Sequence, residues 1–226
     1  SRHDRSEYVL TDKLTDEYFK SEEDIRPLID LQLETCGVEY FDFLLMHAQN
    51  ANNFEFFKKC RAYETAFDLK AEGKVHHVGI SFHDKAEVLD RILTEYPDVE
   101  IVQIQFNYAD YDNAAVQSRQ VYEVCEKHGK PVIVMEPVRG GMLANMDPEI
   151  EAKFKGRRPE KSVASWALRF VGSLPGVMTV LSGMSNEAQM EDNIRTFRSF
   201  EPLADDELRI IDEVTKELLA VPQIGC

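Results

Sequence analysis

The chain has 226 residues, 43% of them hydrophobic, which is enough to bury a sizeable core in one large α/β domain or two small ones. Its 26 Lys and Arg stand against 41 Asp and Glu, and a net charge of -15 repels phosphate backbones and anionic lipid alike, so nucleic acid and membrane are set aside as partners. No apolar stretch approaches the roughly 20 residues that span a bilayer and no signal peptide heads the chain, so it reads as a soluble cytoplasmic protein. Cys36, Cys60, Cys125 and Cys226 lie far apart and read as reduced thiols, not as a disulfide frame.

Tyr8 to Thr11 is a short β-prone run leading into Asp12-Lys13-Leu14, which puts a lysine at a strand's C-terminal end. Ser21-Glu22-Glu23-Asp24 opens a helix in the manner of a capping box, and Ile25, Leu28, Ile29, Leu33 and Cys36 follow at helical spacing until Gly37. Tyr40 to His47 comes next, an apolar run too short for a helix, and it reads as a strand buried on both faces. His47 then stands at the strand's C-terminal mouth, where parallel α/β architectures place chemistry because strand ends are rigid and the loops after them vary. Taken alone, a histidine tying down a loop explains the position as well.

Gln49 to Asn53 links to one helix carrying Phe56, Phe57, Cys60, Tyr63, Phe67 and Leu69, with Gly73 as its stop. Val75 to Ile80 is a third strand, Ser81-Phe82-His83 its exit, and Asp84 to Glu87 caps a helix bearing Val88, Leu89, Ile92 and Leu93. Val99 to Gln105 is the fourth strand, followed by a helix from about Ala114 to His128 that stops at Gly129. Pro131 to Met135 is the fifth, and its exit, Glu136 to Met142, contains Gly140-Gly141, which either lets backbone approach a ligand or makes a tight turn.

Asp147 to Lys161 reads as a polar excursion, ahead of an amphipathic helix with Val163, Trp166, Ala167, Phe170 and Val171. Val177 to Leu181 is a sixth strand. Ser182-Gly183-Met184-Ser185-Asn186 leads from it into a helix whose Asn186 and Gln189 have capping-box spacing. Free N–H groups at that helix start, behind a glycine, suit a phosphate, although an ordinary turn explains the loop equally. Asp205 to Leu219 is the last helix. The regular alternation predicts an all-parallel sheet with right-handed crossovers, six strands being two short of a closed (β/α)8 TIM barrel.

Six segments in order carry a resemblance: Leu10 to Leu14, Phe43 to His47, Val78 to Ser81, Val102 to Gln105, Met135 to Gly141, and Leu181 through Asn193. Together they resemble the aldo-keto reductase family over nearly the whole chain. The resemblance implies a (β/α)8 barrel, with residues 1–226 as one domain whose first two βα units precede Ser1. It also implies a nicotinamide nucleotide, NADP or NAD, and a small-molecule carbonyl substrate. Of the family's catalytic Tyr, Asp, Lys and His, Lys13 matches the lysine and His47 the histidine; the other two are expected upstream, since Tyr8 lies at the wrong end of its strand to serve, and residues 1–226 by themselves are therefore expected to be inactive. Ser81 and Gln103 match the residues that hold the nicotinamide carboxamide, Glu136, Val138 and Gly140 the pyrophosphate loop, and Gly183, Met184, Gln189 and Asn193 the adenosine and phosphate site.

There are departures from the family pattern. Met135 replaces the aromatic that usually stacks on the nicotinamide, Phe82 stands where asparagine is common, and Gln189 occupies the place of an arginine that grips a 2'-phosphate. The subgroup most resembled often continues into a ferredoxin-like segment, so Cys226 is expected as the first iron-sulfur ligand, with a 4Fe-4S cluster in a segment beyond it, or else as a stray thiol. Two other readings compete: a non-catalytic nucleotide-sensing regulatory subunit, and a metal-dependent barrel hydrolase built on His47 and His83, for which no convergent ligand set is evident. Substrate identity and oligomeric state stay open.

Overall fold

The structure is a computed structural model, and it describes residues 3–220. Cys226, the expected iron-sulfur ligand, lies outside the described residues. Among the described residues there are six strands, and within each of two units they pair in parallel and in the order of the sequence. The chain falls into two compact units, one comprising residues up to Ile104 with Gln120–Pro131, the other comprising Gln105–Arg119 with residues from Val132 onward.

In the first unit, β1 (Thr11–Leu14) pairs with β2 (Phe41–Gln49), and β2 with β3 (Val75–Phe82). The expected start of β1 at Tyr8 is corrected to Thr11. The Leu10 N–H donates to the Asp42 carboxylate (2.7 Å), and Arg5, which also binds Asp42 (2.5 Å), lays its guanidinium over the rings of Tyr8 and Tyr40, so side chains hold this segment. Helix α1 (Glu22–Cys36) begins and ends where its signals put it. The Asp24 carboxylate accepts the Ser21 N–H (3.0 Å), and Gly37 closes the helix at φ 66°, a left-handed conformation that costs glycine little.

The single helix expected after β2 is two: α2 (Phe54–Lys59) and α3 (Ala62–Ala71). Phe54, Phe57, Cys60, Ala62, Tyr63, Ala66 and Leu69 are all buried, and positions 60, 62 and 63 cannot share one helical stripe. The chain therefore breaks at Arg61, which takes φ 50°, and each half turns its own face inward. Helix α4 (Ala86–Glu95) follows β3 without a side-chain cap. Asp84 accepts the Ala51 N–H (2.7 Å) and the Lys85 N–H (2.8 Å) instead of capping.

The next strand, β4 (Ile101–Gln105), pairs with β3, placing Gly79 beside Ile101. A Cβ at Gly79 would sit 2.5 Å from Ile101 Cγ2, 2.7 Å from the Ile101 carbonyl oxygen and 2.7 Å from Leu45 Cδ2. Because a backbone atom is among the obstacles, Gly79→Ala is expected to cost about 1–3 kcal/mol, measurable by urea unfolding. An unchanged midpoint would show that β3 and β4 part easily.

Helix α5 (Ser118–Lys127) starts later than about Ala114 because Asn113 Oδ1 accepts the Ala115 N–H (2.8 Å) and Gln117 takes φ 54°, a local turn that competes with helix. In the second unit β5 (Val132–Met135) pairs in parallel with β6 (Val177–Val180). The polar excursion expected from Asp147 to Lys161 contains a helix, α6 (Pro148–Arg157), a further correction. Its apolar stripe amounts to buried Phe154 and partly buried Ile150, while Lys153 and Arg157 pair with Glu217 and Asp206. A helix held mainly by its neighbours carries little periodic signal.

Helix α7 (Val163–Gly172) is capped by the Ser162 hydroxyl, which accepts the Ser165 N–H (3.0 Å), and its Trp166 packs on Phe154 with centroids 4.7 Å apart. Helices α8 (Glu187–Arg198) and α9 (Asp205–Ala220) complete the unit, with Ile211 and Val214 of α9 in the same core. Cys36, Cys60 and Cys125 are free, and burial pushes the Cys125 thiol up to about 12. No helix among the described residues is long and apolar enough to cross a membrane.

Candidate active site

In the first unit the strand register sets Lys13, Leu45, Gly79 and Ile101 side by side. Residues two positions further along a strand share that face, which brings His47 to it, together with the registered pair Ser81 and Gln103. Lys13 and His47 thus approach one another from neighbouring strands. Ser81 and Gln103 are buried, and Ser81 Oγ lies 3.4 Å from Nε2 of His83.

His47 sits within β2 and not at its last residue, because the strand runs on to Gln49 through a register irregularity. Between Met46 and Gln49 the strand carries one residue more than β3 does opposite it, and Ala48 takes φ 50°. Bulges of this kind re-aim side chains next to active sites. Gln49, fully buried, stabilises this one: its amide donates to the His47 carbonyl (3.4 Å), its Oε1 accepts the Tyr63 hydroxyl (2.6 Å), and its carbonyl accepts the His83 N–H (3.0 Å). The Thr15 hydroxyl lies 2.8 Å from Nδ1 of His47.

Burial lowers the pKa of His47, the positive charge of Lys13 lowers it further, and Asp16 and Glu17 pull the other way. The pKa of His83 is lowered by burial first, then by His47 and Lys13. Both rings therefore favour the neutral form more than a free imidazole does, in an environment that already contains a cation. Tyr8, set aside on sequence grounds, packs under Arg5. Burial raises the Asp12 carboxyl, against the Lys13 N–H it accepts (2.7 Å) and the Lys13 charge.

The second unit contains a cleft of about 620 Å³, with Glu136, Val138, Gly140, Gly183, Met184, Gln189 and Asn193 on its wall. Every second-unit residue singled out as a nucleotide partner lines it, and so does Met135. A Cβ built on Gly140, Gly141 or Gly183 would meet nothing within 4 Å, so the backbone there is open to a ligand. Glu136, at φ 56°, accepts the Gly140 N–H on its carboxylate (2.7 Å). Beneath the loop Asn107 donates to the Glu136 carbonyl (3.1 Å) and to Asp110 (2.9 Å), and Asp110 also accepts from Gln105 (3.0 Å) and pairs with Arg139 (3.3 Å).

At the start of α8, Asn186 Oδ1 accepts the Gln189 N–H (3.0 Å) and Gln189 Oε1 accepts the Ser185 N–H (2.7 Å). The expectation of free donors at this helix start is thus corrected in part: two of them are satisfied by the segment's own side chains. Asn193 donates to the Ser182 hydroxyl (2.8 Å). Among the described residues no lysine or arginine lines the cleft, and Glu136 is the one charged residue on its wall.

Sequence reasoning missed Thr15, Gln49, Tyr63, Asp110 and Arg139, all of which act through another residue. Gln49 and Asp110 left a weak signal, being polar residues within or just after apolar runs. Among the described residues no group of three or more His, Cys, Asp or Glu side chains could hold a metal ion.

A parallel α/β architecture with polar groups converging near its strand ends defines the class. The chain belongs to the Aldo/keto reductase family, whose profile matches residues 1–216. It is 24% identical over 123 residues to the NADH-specific methylglyoxal reductase of Escherichia coli, a match covering 54% of this chain and 36% of that protein. It is 23% identical over 221 residues to L-galactose dehydrogenase of Arabidopsis thaliana, covering 90% and 68%. An aldo-keto reductase from Klebsiella pneumoniae in complex with NADPH superposes with a TM-score of 0.71 at 19% identity, covering 98% of this chain and 73% of that one. The chain thus spans about a third of the length of the Escherichia coli relative it matches.

Proposed function

We propose that the protein to which this chain belongs reduces aldehydes or ketones, with a nicotinamide nucleotide as the hydride source and Lys13 and His47 as the part of the catalytic set that residues 1–226 supply. The observation that carries this reading is the approach of Lys13 to His47 on one sheet face, with both His47 and His83 favouring the neutral form. Hydride addition builds negative charge on the carbonyl oxygen, and a fixed donor and a fixed cation lower that barrier because they need not reorganise. Lys13 and His47 are the carbonyl-side residues in this reading: a neutral His47 donates a hydrogen bond while Lys13 supplies the positive field, and the proton that completes the alcohol comes from the tyrosine that the family resemblance implies, not from either of them.

Ser81 and Gln103 are the carboxamide partners. Glu136, Val138 and Gly140 are the pyrophosphate partners, and Gly183, Met184, Gln189 and Asn193 the adenosine partners. The cleft's open glycine backbone leaves a pyrophosphate room to approach, while the Gly140 N–H donates to the Glu136 carboxylate and the Gly141 N–H to the Val138 carbonyl, bonds that an anion there would have to replace. The relative named as NADH-specific and the structure named with NADPH support a nicotinamide nucleotide of one kind or the other. The protein acts in the cytoplasm on a small carbonyl compound, and its charge of -15 keeps nucleic acid and lipid away. Following the absorbance of NADH and NADPH against a panel of aldehydes and ketones tests the reading. Turnover of at least one carbonyl is expected from the complete protein, and little or none from residues 1–226 alone; no turnover by the complete protein with either nucleotide would remove the reading.

Preference for NADP is expected to be slight or absent, because Gln189 is neutral, no cation among the described residues lines the cleft, and Glu136 repels a dianionic 2'-phosphate. Gln189→Arg is expected to shift binding toward NADPH by roughly 1–2 kcal/mol, the scale of a charge-assisted contact. Titration calorimetry with both nucleotides reads this directly. A thousandfold preference for NADPH in the wild type would mean that another cation grips the phosphate.

A further inference from the structure

Thr15 immediately precedes a short 3-10 turn, Asp16–Tyr18, at the position whose side chain ordinarily accepts a backbone N–H of the turn. It does not do so here. Its carbonyl accepts the Tyr18 N–H (3.1 Å), while its hydroxyl is turned away to Nδ1 of His47 at 2.8 Å. The imidazole is thereby gripped at one nitrogen, while Gln49 fixes its backbone from the other side through the His47 carbonyl. A neutral imidazole carries a single N–H, and whichever nitrogen accepts a hydrogen bond leaves that proton on the other.

We propose that Thr15 is a positioning residue for carbonyl reduction: its hydroxyl donates to Nδ1 of His47 and so keeps the ring's N–H on Nε2, the nitrogen left to donate to a carbonyl oxygen. This rests on the reading of the chain as a carbonyl reductase, because a ring protonated at Nδ1 would offer the substrate oxygen only a lone pair. A hydroxyl can serve as donor or acceptor, so the backbone turn and the strand bulge fix the distance while the direction of donation fixes the chemistry. Thr15 touches no reacting atom. Its effect is exerted through the tautomer and aim of His47.

The test is the ring 15N chemical shifts of His47 at neutral pH, assigned with His47→Gln, in wild type, Thr15→Val and Thr15→Ser, with steady-state kinetics on the same proteins. The wild type and Thr15→Ser are expected to show the proton on Nε2. Thr15→Val, close in shape but without a hydroxyl, is expected to show mixed tautomers, a kcat lower by about tenfold and an unchanged KM for the nucleotide, the scale of one lost hydrogen bond. A wild-type ring protonated at Nδ1 overturns the proposal even if carbonyls are reduced, and so does a Thr15→Val protein with the wild-type tautomer and kcat. If Thr15→Val does not fold, the wild-type shifts and the Thr15→Ser kinetics decide. Absence of carbonyl turnover in the wild type removes the underlying reading and the proposal with it, whichever tautomer the shifts report.

Discussion

Glu207→Gln is expected to lower the unfolding free energy by roughly 3–5 kcal/mol, the cost of leaving a buried cation without its partner. Glu207 and Arg169 are both essentially inaccessible to water, and the carboxylate accepts two bonds from the Arg169 guanidinium (2.7 and 3.0 Å), one from Arg158 (2.9 Å) and one from the Ala204 N–H (3.0 Å). Arg169 also donates to the carbonyls of Glu201 and Pro202, so one guanidinium ties the loop before α9 to α7. Burial by itself would raise the Glu207 carboxyl, but these donors outweigh it and bring it down to about 2. A carboxyl whose folded pKa is depressed contributes stability above its unfolded pKa and loses it as pH falls through the folded value. This contribution is therefore full above about pH 5 and gone near pH 2, and the variant is expected to lose that limb of the acid-unfolding curve. Replacing both partners by apolar residues is expected to cost less than either single change, because no buried charge is then stranded. A Glu207→Gln protein within about 0.5 kcal/mol of wild type in urea would show that water reaches the pair.

The parts of this molecule that were legible beforehand are those where one residue type does a local job. Gly37 stops α1, Asn186 caps α8, and the apolar run before His47 is a strand because burial on both faces leaves no periodicity to read. The illegible parts depend on partners distant in sequence. Helix α6 has little apolar stripe of its own and leans on α9, and the break at Arg61 follows from where Phe57 and Tyr63 must both point. Among the site residues, Lys13 and His47 were visible as a polar group towards the end of each of two strands and through the resemblance. Thr15 was invisible, because a threonine after a strand is unremarkable until its hydroxyl is found turned toward a histidine 32 positions away.

Lys13→Met is expected to lower kcat by a factor on the order of 10²–10³, the scale on which one fixed electrostatic group at a developing oxyanion acts. The same substitution makes a second prediction that does not depend on turnover. Burial is the larger cause of the low His47 pKa and persists in the variant, but the repulsion from Lys13 disappears while Asp16 and Glu17 continue to favour the imidazolium. His47 is therefore expected to titrate at higher pH in Lys13→Met, and His83, which Lys13 also lowers, to follow in the same direction. The sign for stability follows from the same shift. Because the folded pKa of His47 lies below the unfolded value near 6.5, the unfolded chain takes up a proton first as pH falls, and native stability declines between that value and the folded pKa. Lys13→Met narrows this window and flattens the decline. Histidine proton resonances followed from about pH 8 to 5 report both pKa values in wild type and variant. If His47 titrates identically in the two proteins, Lys13 does not act on it, and the pairing of a fixed cation with a neutral donor on which the proposed carbonyl reduction depends fails.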